Sequence, residues 1–190
     1  MKLLAPLSYL RISHDEKRRY DLWYPLCGAV LITVIYLCMD EPFSILGKNG
    51  LVPQVNGLLT VLIGFYIAAL AAISTFANPT IDETMAGNPP TIREMYRGKK
   101  ILVPLIRRRF LCYLFGYLAL VSFVVFGFGL VASLFTNSIV ALVSTIPFAH
   151  AGVVVKAFFL LLYSLVLLNM ITTTLLGLYY LAVRIHQPND

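Results

Sequence analysis

The sequence predicts an all-α membrane protein with four transmembrane helices and a basic loop between the second and third. Three observations carry this. Residues 22–39, 49–81, 110–155 and 157–183 contain no Asp, Glu, Lys or Arg. A helical crossing of the bilayer core takes about 20 mainly apolar residues, and charge inside it is costly. Hydrophobic residues make up 59% of the 190-residue chain, with a mean hydropathy of +0.81, which excludes an ordinary soluble or disordered chain. The cations are distributed unevenly among the connecting segments.

The first segment, residues 1–21, is basic. Leu3, Leu4, Leu7 and Leu10 recur at helical spacing, and His14 to Arg19 is dense in charge. A helix lying in the membrane interface uses both features. A frayed tail held by its basic cluster is the competing reading. Met1 to Leu10 is too short for the apolar region of a signal peptide, and no A-x-A pattern follows it. Span one is therefore expected to be a retained anchor over 22–39. Tyr20, Trp23 and Tyr24 suit the headgroup region at its start, Pro25 is tolerated in a first turn, and Asp40-Glu41-Pro42 stops it.

Span two is expected over 51–77, with Asn78-Pro79 as its breaker. The loop 78–109 is the longest polar stretch and leaves no room for a separate soluble domain. Span three is expected over 110–135 and span four over 157–183, followed by the tail 184–190. Between them, residues 136–155 are apolar but hold Pro147, His150 and Gly152. A turn at Thr136-Asn137-Ser138, then an interfacial or re-entrant segment, is preferred to a fifth span. Irregular backbone at membrane depth must be buried in protein or line a cavity.

Orientation follows from the cations. Residues 1–21 hold five Lys and Arg, the loop 78–109 holds seven, and the tail holds Arg184; only Lys48 and Lys156 fall on the other side. The positive-inside rule then places both termini and the 78–109 loop of this multi-pass chain in the cytoplasm.

No His box, HExxH, GxSxG or paired membrane carboxylate occurs, and no span as bounded above contains an acidic residue. No catalytic residue, cofactor or metal site is expected. Cys27, Cys38 and Cys112 form no CxxC and read as small membrane-facing or packing residues. In span two, Gly57, Thr60, Gly64, Ala68, Ala71, Ala72 and Thr75 share a face. Small residues let helix backbones approach closely, so Gly57, Gly64, Ala68 and Ala72 are candidates for helix packing, within one subunit or between subunits. Gly129 and Ser133 repeat the pattern in span three. Span four is the most polar. Its Asn169 and Thr173 bond helix to helix or line a water-filled path.

The 78–109 loop carries seven cations within residues 93–109. Arg107, Arg108 and Arg109 abut span three and are pore or selectivity candidates, with Lys156 at the opposite side. Arg93, Arg97, Lys99 and Lys100 are candidates for docking a ligand or partner. Topology with anionic-lipid contact, an anion-attracting vestibule and a dock for a polyanion such as an oligonucleotide all remain open.

The stretch Asn78 to Pro90, with Arg108-Arg109-Phe110-Leu111-Cys112-Tyr113-Leu114-Phe115-Gly116-Tyr117-Leu118-Ala119, resembles a family of small four-span bacterial membrane proteins. That family includes the membrane effectors of Hailong-type anti-phage defence systems. The resemblance implies a homo-oligomeric, tetrameric anion channel. It also implies a partner nucleotidyltransferase whose nucleic-acid or nucleotide product restrains the channel until opening depolarises the cell. The lead expectation is thus a regulated, anion-selective channel that self-associates in membrane lipid. A non-conducting assembly or regulatory subunit is the alternative. A transporter ranks third, for want of coupling carboxylates and an internal repeat.

The orientation is testable with Lys48→Cys and Lys99→Cys in chains freed of the native cysteines. Position 48 is expected to react with an impermeant thiol reagent on intact cells, and position 99 only after permeabilisation. Labelling of position 99 from outside would reverse the topology.

Overall fold

In hydrocarbon a backbone must satisfy its own polar groups, so the charge-free stretches can cross only as helices. A computed structural model of the chain describes all residues except 1, 15, 48, 76–78, 86–88, 97–98, 146–149 and 185–190. Four of its helices are long and apolar enough to span a membrane. Helix α1, Tyr24–Cys38, continues from a π-helical turn at Arg19–Trp23. Helix α2 is Leu51–Thr75, α3 is Arg107–Leu134, α4 is the short Thr136–Ser144, and α5 is Ala151–Ala182. The protein is an all-α, multi-pass membrane protein.

Two helix pairs build the bundle: α2 lies along α3, and α1 along α5, with α3 and α5 meeting between them. Helix α3 is the centre. Of its apolar window 44% is buried, against 17–22% for the other three spans. Leu111, Leu114, Phe115 and Leu118 form its fully buried stripe, at the spacing of one helix face. Outward-facing Leu31, Ile35, Val61, Val124 and Leu175 are exposed, as side chains bathed in lipid can be.

Glycines mark the close approaches. A Cβ at Gly28 would meet Leu168 at 2.7 Å, joining α1 to α5. One at Gly177 would meet Leu114 at 2.8 Å, joining α5 to α3, and one at Gly129 would meet the Asn56 amide at 2.5 Å, joining α3 to α2. The small stripe of α2 behaves differently. Its packed face is Val52, Asn56, Leu59, Tyr66 and Ile73. Gly57, Gly64, Ala68 and Ala72 lie on the exposed side, and nothing stands within 4 Å of a Cβ at Gly57 or Gly64. The expectation that this stripe packs within one subunit is therefore corrected: the bulkier heptad face makes those contacts.

Three further expectations change. Residues 2–11 form a 3-10 segment rather than an interfacial α-helix. It packs on α3, with Tyr9 wholly buried and Pro6 set 3.5 Å from where a Gly116 Cβ would lie. Leu4 and Leu10 of the expected apolar face are exposed, because the ring of Tyr9, stacked on Tyr117, supplies the docking. The turn expected at residues 136–138 is helical. The break falls at Phe135, and the Thr136 hydroxyl bonds back to carbonyls of Ala132 and Ser133. Helix α4 has nine residues, about 13 Å of rise, well short of a crossing of about 30 Å. Helices α3 and α5 begin earlier than predicted: α3 starts among its arginines, outside hydrocarbon, and α5 takes in the apolar residues before Lys156. Pro147 lies outside the described residues.

The basic loop holds an antiparallel hairpin, β1 at Thr91–Tyr96 and β2 at Lys99–Pro104, in register from Thr91 opposite Pro104 to Tyr96 opposite Lys99. Ser13 pairs with Thr91 through two backbone hydrogen bonds of 2.9 and 3.1 Å, tying the N-terminal segment to the hairpin. Beneath it Ile12, Ile81, Met85, Ile92 and Leu105 are buried, extending the bundle core.

Two substitutions separate the packed glycine from the exposed one. Gly129→Leu must displace Asn56 and is expected to cost about 1–3 kcal/mol by overpacking. Gly64→Leu meets open space within its own subunit and should leave the unfolding midpoint of the dissociated chain, in a detergent that separates subunits, unchanged. Equal losses in a thermal melt would show that α2 does not pack through its Asn56 face.

Candidate functional site

At the arginine end of the bundle a proline creates the demand that the polar side chains answer. Pro25 has no N–H, so it cannot donate to the carbonyl of Asp21 four residues earlier. Nor can it complete the wider π-type bond to Tyr20. Helix α5 supplies both partners. Asn169 Nδ2 donates to the Asp21 carbonyl at 2.8 Å, and the Thr172 hydroxyl reaches the Tyr20 carbonyl at 3.1 Å, as well as that of Leu168 at 3.0 Å in its own helix. The Asn169 Oδ1 accepts from the Tyr117 hydroxyl of α3 at 2.8 Å. Asn169 thus ties three helices together.

The same Asp21 uses its side chain in the opposite direction. Its Oδ1 accepts from the Tyr9 hydroxyl at 3.0 Å, and its Oδ2 lies 2.5 Å from Lys17 Nζ. Lys17 also stands 4.5 Å over the Tyr9 ring, which stacks on Tyr117 with centroids 4.9 Å apart. Thr173 is fully buried beside Tyr9. Burial pushes the Tyr9 phenol well above its ordinary range, and the adjacent Asp21 carboxylate adds to the effect. Tyr9 therefore stays a protonated donor through the physiological range. Asn169 and Thr173 share a face as the sequence suggested; Asn169 is engaged in holding helices together, and Thr173 is buried beside Tyr9.

The three arginines divide their tasks. Arg107 is buried, donates from Nη1 to the Thr80 carbonyl at 3.4 Å, and its backbone N–H bonds Glu83 O at 3.0 Å. Arg108 grips Asp82 with both edges, Nε to Oδ1 at 2.6 Å and Nη2 to Oδ2 at 2.9 Å. Its Nη1 donates to the Ile73 carbonyl at 2.7 Å, one of the last carbonyls of α2 that the helix itself leaves unbonded. The guanidinium hydrogen bonds hold the Asp82 carboxyl below the usual carboxylate range. Arg109 bonds the Tyr113 hydroxyl at 3.1 Å and leans over its ring at 5.5 Å. Arg107 and Arg108 act as a clamp between α2, the 79–84 turn and α3. Arg107, being buried, is corrected from pore lining to anchor.

The hairpin carries the other cations. Arg93 and Lys99 are exposed on β1 and β2, and Lys100 sits opposite Met95; Arg97 lies outside the described residues. Lys156 is exposed at the far end, one and a half turns into α5. It is thus remote from the arginines and from Asn169. Among the described residues no three His, Cys, Asp or Glu side chains gather as metal ligands.

Tyr9, Asp21, Asp82 and Tyr66 are site and core residues that sequence reasoning missed. Tyr66 is buried on α2 and bonds Thr174 at 2.6 Å. Since Thr174 donates to the Met170 carbonyl, Tyr66 is the donor. Pro25 one turn after Asp21, within an otherwise apolar run, was the available signal for the first cluster.

Comparison with protein-family models, curated proteins and solved structures finds no match for this chain.

The proline-driven network predicts a specific coupling. Asn169→Leu leaves the Asp21 carbonyl and the Tyr117 hydroxyl without partners and is expected to cost about 1–3 kcal/mol. Pro25→Ala restores an N–H to the helix, so the double variant should lose less than Asn169→Leu alone. Additive losses in a detergent unfolding cycle would disconnect the two residues.

Proposed function

We propose that the chain is the subunit of a homo-oligomeric membrane channel that favours anions. The carrying observation is the unpartnered stripe Gly57, Gly64, Ala68 and Ala72 on α2, exposed while the chain packs through the other face. Small residues at four-residue spacing are what lets helices of separate subunits associate in lipid. The interior between α3 and its neighbours is filled by Phe115, Leu114, Leu118, Tyr66 and Leu160. A conducting path then runs between subunits, with α2 at the seam.

Selectivity in this reading comes from the hairpin. Arg93, Arg97, Lys99 and Lys100, repeated by symmetry, raise local anion concentration at the mouth. The effect weakens with salt, because the Debye length is about 8 Å at physiological ionic strength. The resemblance in residues 78–90 and 108–119 supplies a setting. In it the assembly is a tetramer in a bacterial inner membrane, with both termini cytoplasmic, and a depolarising effector of anti-phage defence. A nucleic-acid or nucleotide regulator, made by a partner nucleotidyltransferase, docks on the hairpin cations.

The filled interior and the clamped arginines favour a second reading, a non-conducting assembly or regulatory subunit. Self-association is common to both when the partner is a second copy.

Two measurements decide between them. Wild-type protein in mild detergent is expected to be a multimer, and Gly64→Leu a folded species of lower order. In a planar bilayer under a chloride gradient, the reversal potential should move toward that of chloride, and Arg93→Glu with Lys99→Glu should move it back. A monomer in detergent and lipid, or a current carried by potassium, would end the channel reading. A multimer without current supports the second.

A further inference from the structure

At the end of the bundle far from the arginines lies a cleft of about 790 Å³, within the size range of small-molecule sites. Its walls are Tyr36 of α1, the 42–46 loop, one face of α3 and α4, and the first turns of α5. On α3 and α4 the lining residues Phe128, Ala132 and Thr136 follow one another every fourth position. On α5 they run from Gly152 to Phe159, about 10 Å of rise. The cleft therefore runs lengthwise along the helices, in the direction a lipid chain takes in a bilayer.

Its chemistry is uneven. The serine and threonine hydroxyls on its walls face their own backbone: Ser44 bonds the Leu46 carbonyl, Ser144 that of Ala141, and Thr136 those of Ala132 and Ser133. The remaining wall is mainly hydrocarbon, and Lys156 is the one charged residue among its described lining. Helical side chains lean toward the N-terminus of their helix. A lysine one and a half turns into α5 thus carries its ammonium back toward the mouth, where headgroups lie.

We propose that this cleft seats an acyl chain of an anionic phospholipid, with the Lys156 ammonium paired to its phosphate. A hydrocarbon slot parallel to the membrane normal suits the chain, and a single cation at its mouth suits the negative headgroup. A neutral or zwitterionic lipid fits the slot but gains less from the lysine. The proposal does not depend on conduction or on the orientation of the chain.

The chain has one tryptophan, Trp23, in the π turn that begins α1 at the arginine end. Trp23→Phe with Phe159→Trp therefore places a single fluorophore in the cleft, where position 159 already stacks aromatic rings with Tyr163 and Phe128. Brominated phosphatidylglycerol and brominated phosphatidylcholine are titrated into the full chain in detergent micelles. The glycerol lipid is expected to quench with about fivefold higher affinity, the equivalent of about 1 kcal/mol for one lysine near a membrane phosphate. Lys156→Gln should bring the two lipids level. Gly152→Phe enters open cleft, since a Cβ there meets only Val143 at 4.0 Å, and should reduce quenching by both lipids at least tenfold. A second reporter, Phe128→Trp, guards against a fault specific to position 159. Equal affinities in the parent chain, an unchanged preference in Lys156→Gln, or full quenching in Gly152→Phe would each overturn the proposal. So would absence of quenching because a second copy fills the slot.

Discussion

A proline near the start of a membrane helix leaves carbonyls that water cannot satisfy once they enter hydrocarbon. Here the debt falls on Tyr20 and Asp21, and α5 meets it with Thr172 and Asn169. Because Asn169 has an amide with two ends, meeting that need also recruits Tyr117 of α3. The Asp21 carboxylate then recruits Tyr9 and Lys17. The missing N–H of Pro25, with the change from π to α register beside it, thus organises four separate segments into a single polar knot at one end of an otherwise hydrocarbon bundle. Apolar packing alone could not position them so specifically, since in lipid a helix surface gains little by choosing one apolar neighbour over another.

The arginine clamp solves a related problem at the ends of α2 and α3. Three cations at the N-terminus of α3 stand at the positive end of its dipole, which is an unfavourable place for them. They are tolerated because the guanidinium groups of Arg107 and Arg108 reach away from α3, while that of Arg109 rests on the Tyr113 hydroxyl. Arg108 takes the final carbonyls of α2 and the Asp82 carboxylate, and Arg107 takes the Thr80 carbonyl. The negative end of one helix and an acidic turn thereby offset the charge of the next. The same contacts hold the basic hairpin against the bundle through the bridge between Thr84 and Ile106.

Much of the architecture was legible in the sequence because charge exclusion from hydrocarbon is a strong and local rule. The four spans emerge from it with boundaries shifted by a few residues, chiefly at α3 and α5. What escaped depended on distant partners. The hairpin was hidden because its charges dominate the composition, although Ile92 and the run from Ile101 to Val103 on either side of Gly98 carried a strand pattern. The stripe of small residues on α2 was plain, but the face that packs was settled by Asn56 and Tyr66, whose partners lie on α3 and α5. Asn169 stood out as a polar residue in a span. Its task was invisible until Pro25, far away in sequence, was beside it.

The knot also has a consequence for how the chain is made. Tyr9, Asp21 and Pro25 leave the ribosome long before α5 exists. Until Asn169 and Thr172 arrive, the carbonyls of Tyr20 and Asp21 have no α5 partner, and until α3 is inserted the 3-10 segment has no Tyr117 to stack upon. The opening turn of α1 must therefore wait near the aqueous surface, or in the shelter of the insertion machinery, while three further helices are threaded. A chain halted before α5 keeps that turn polar and undocked.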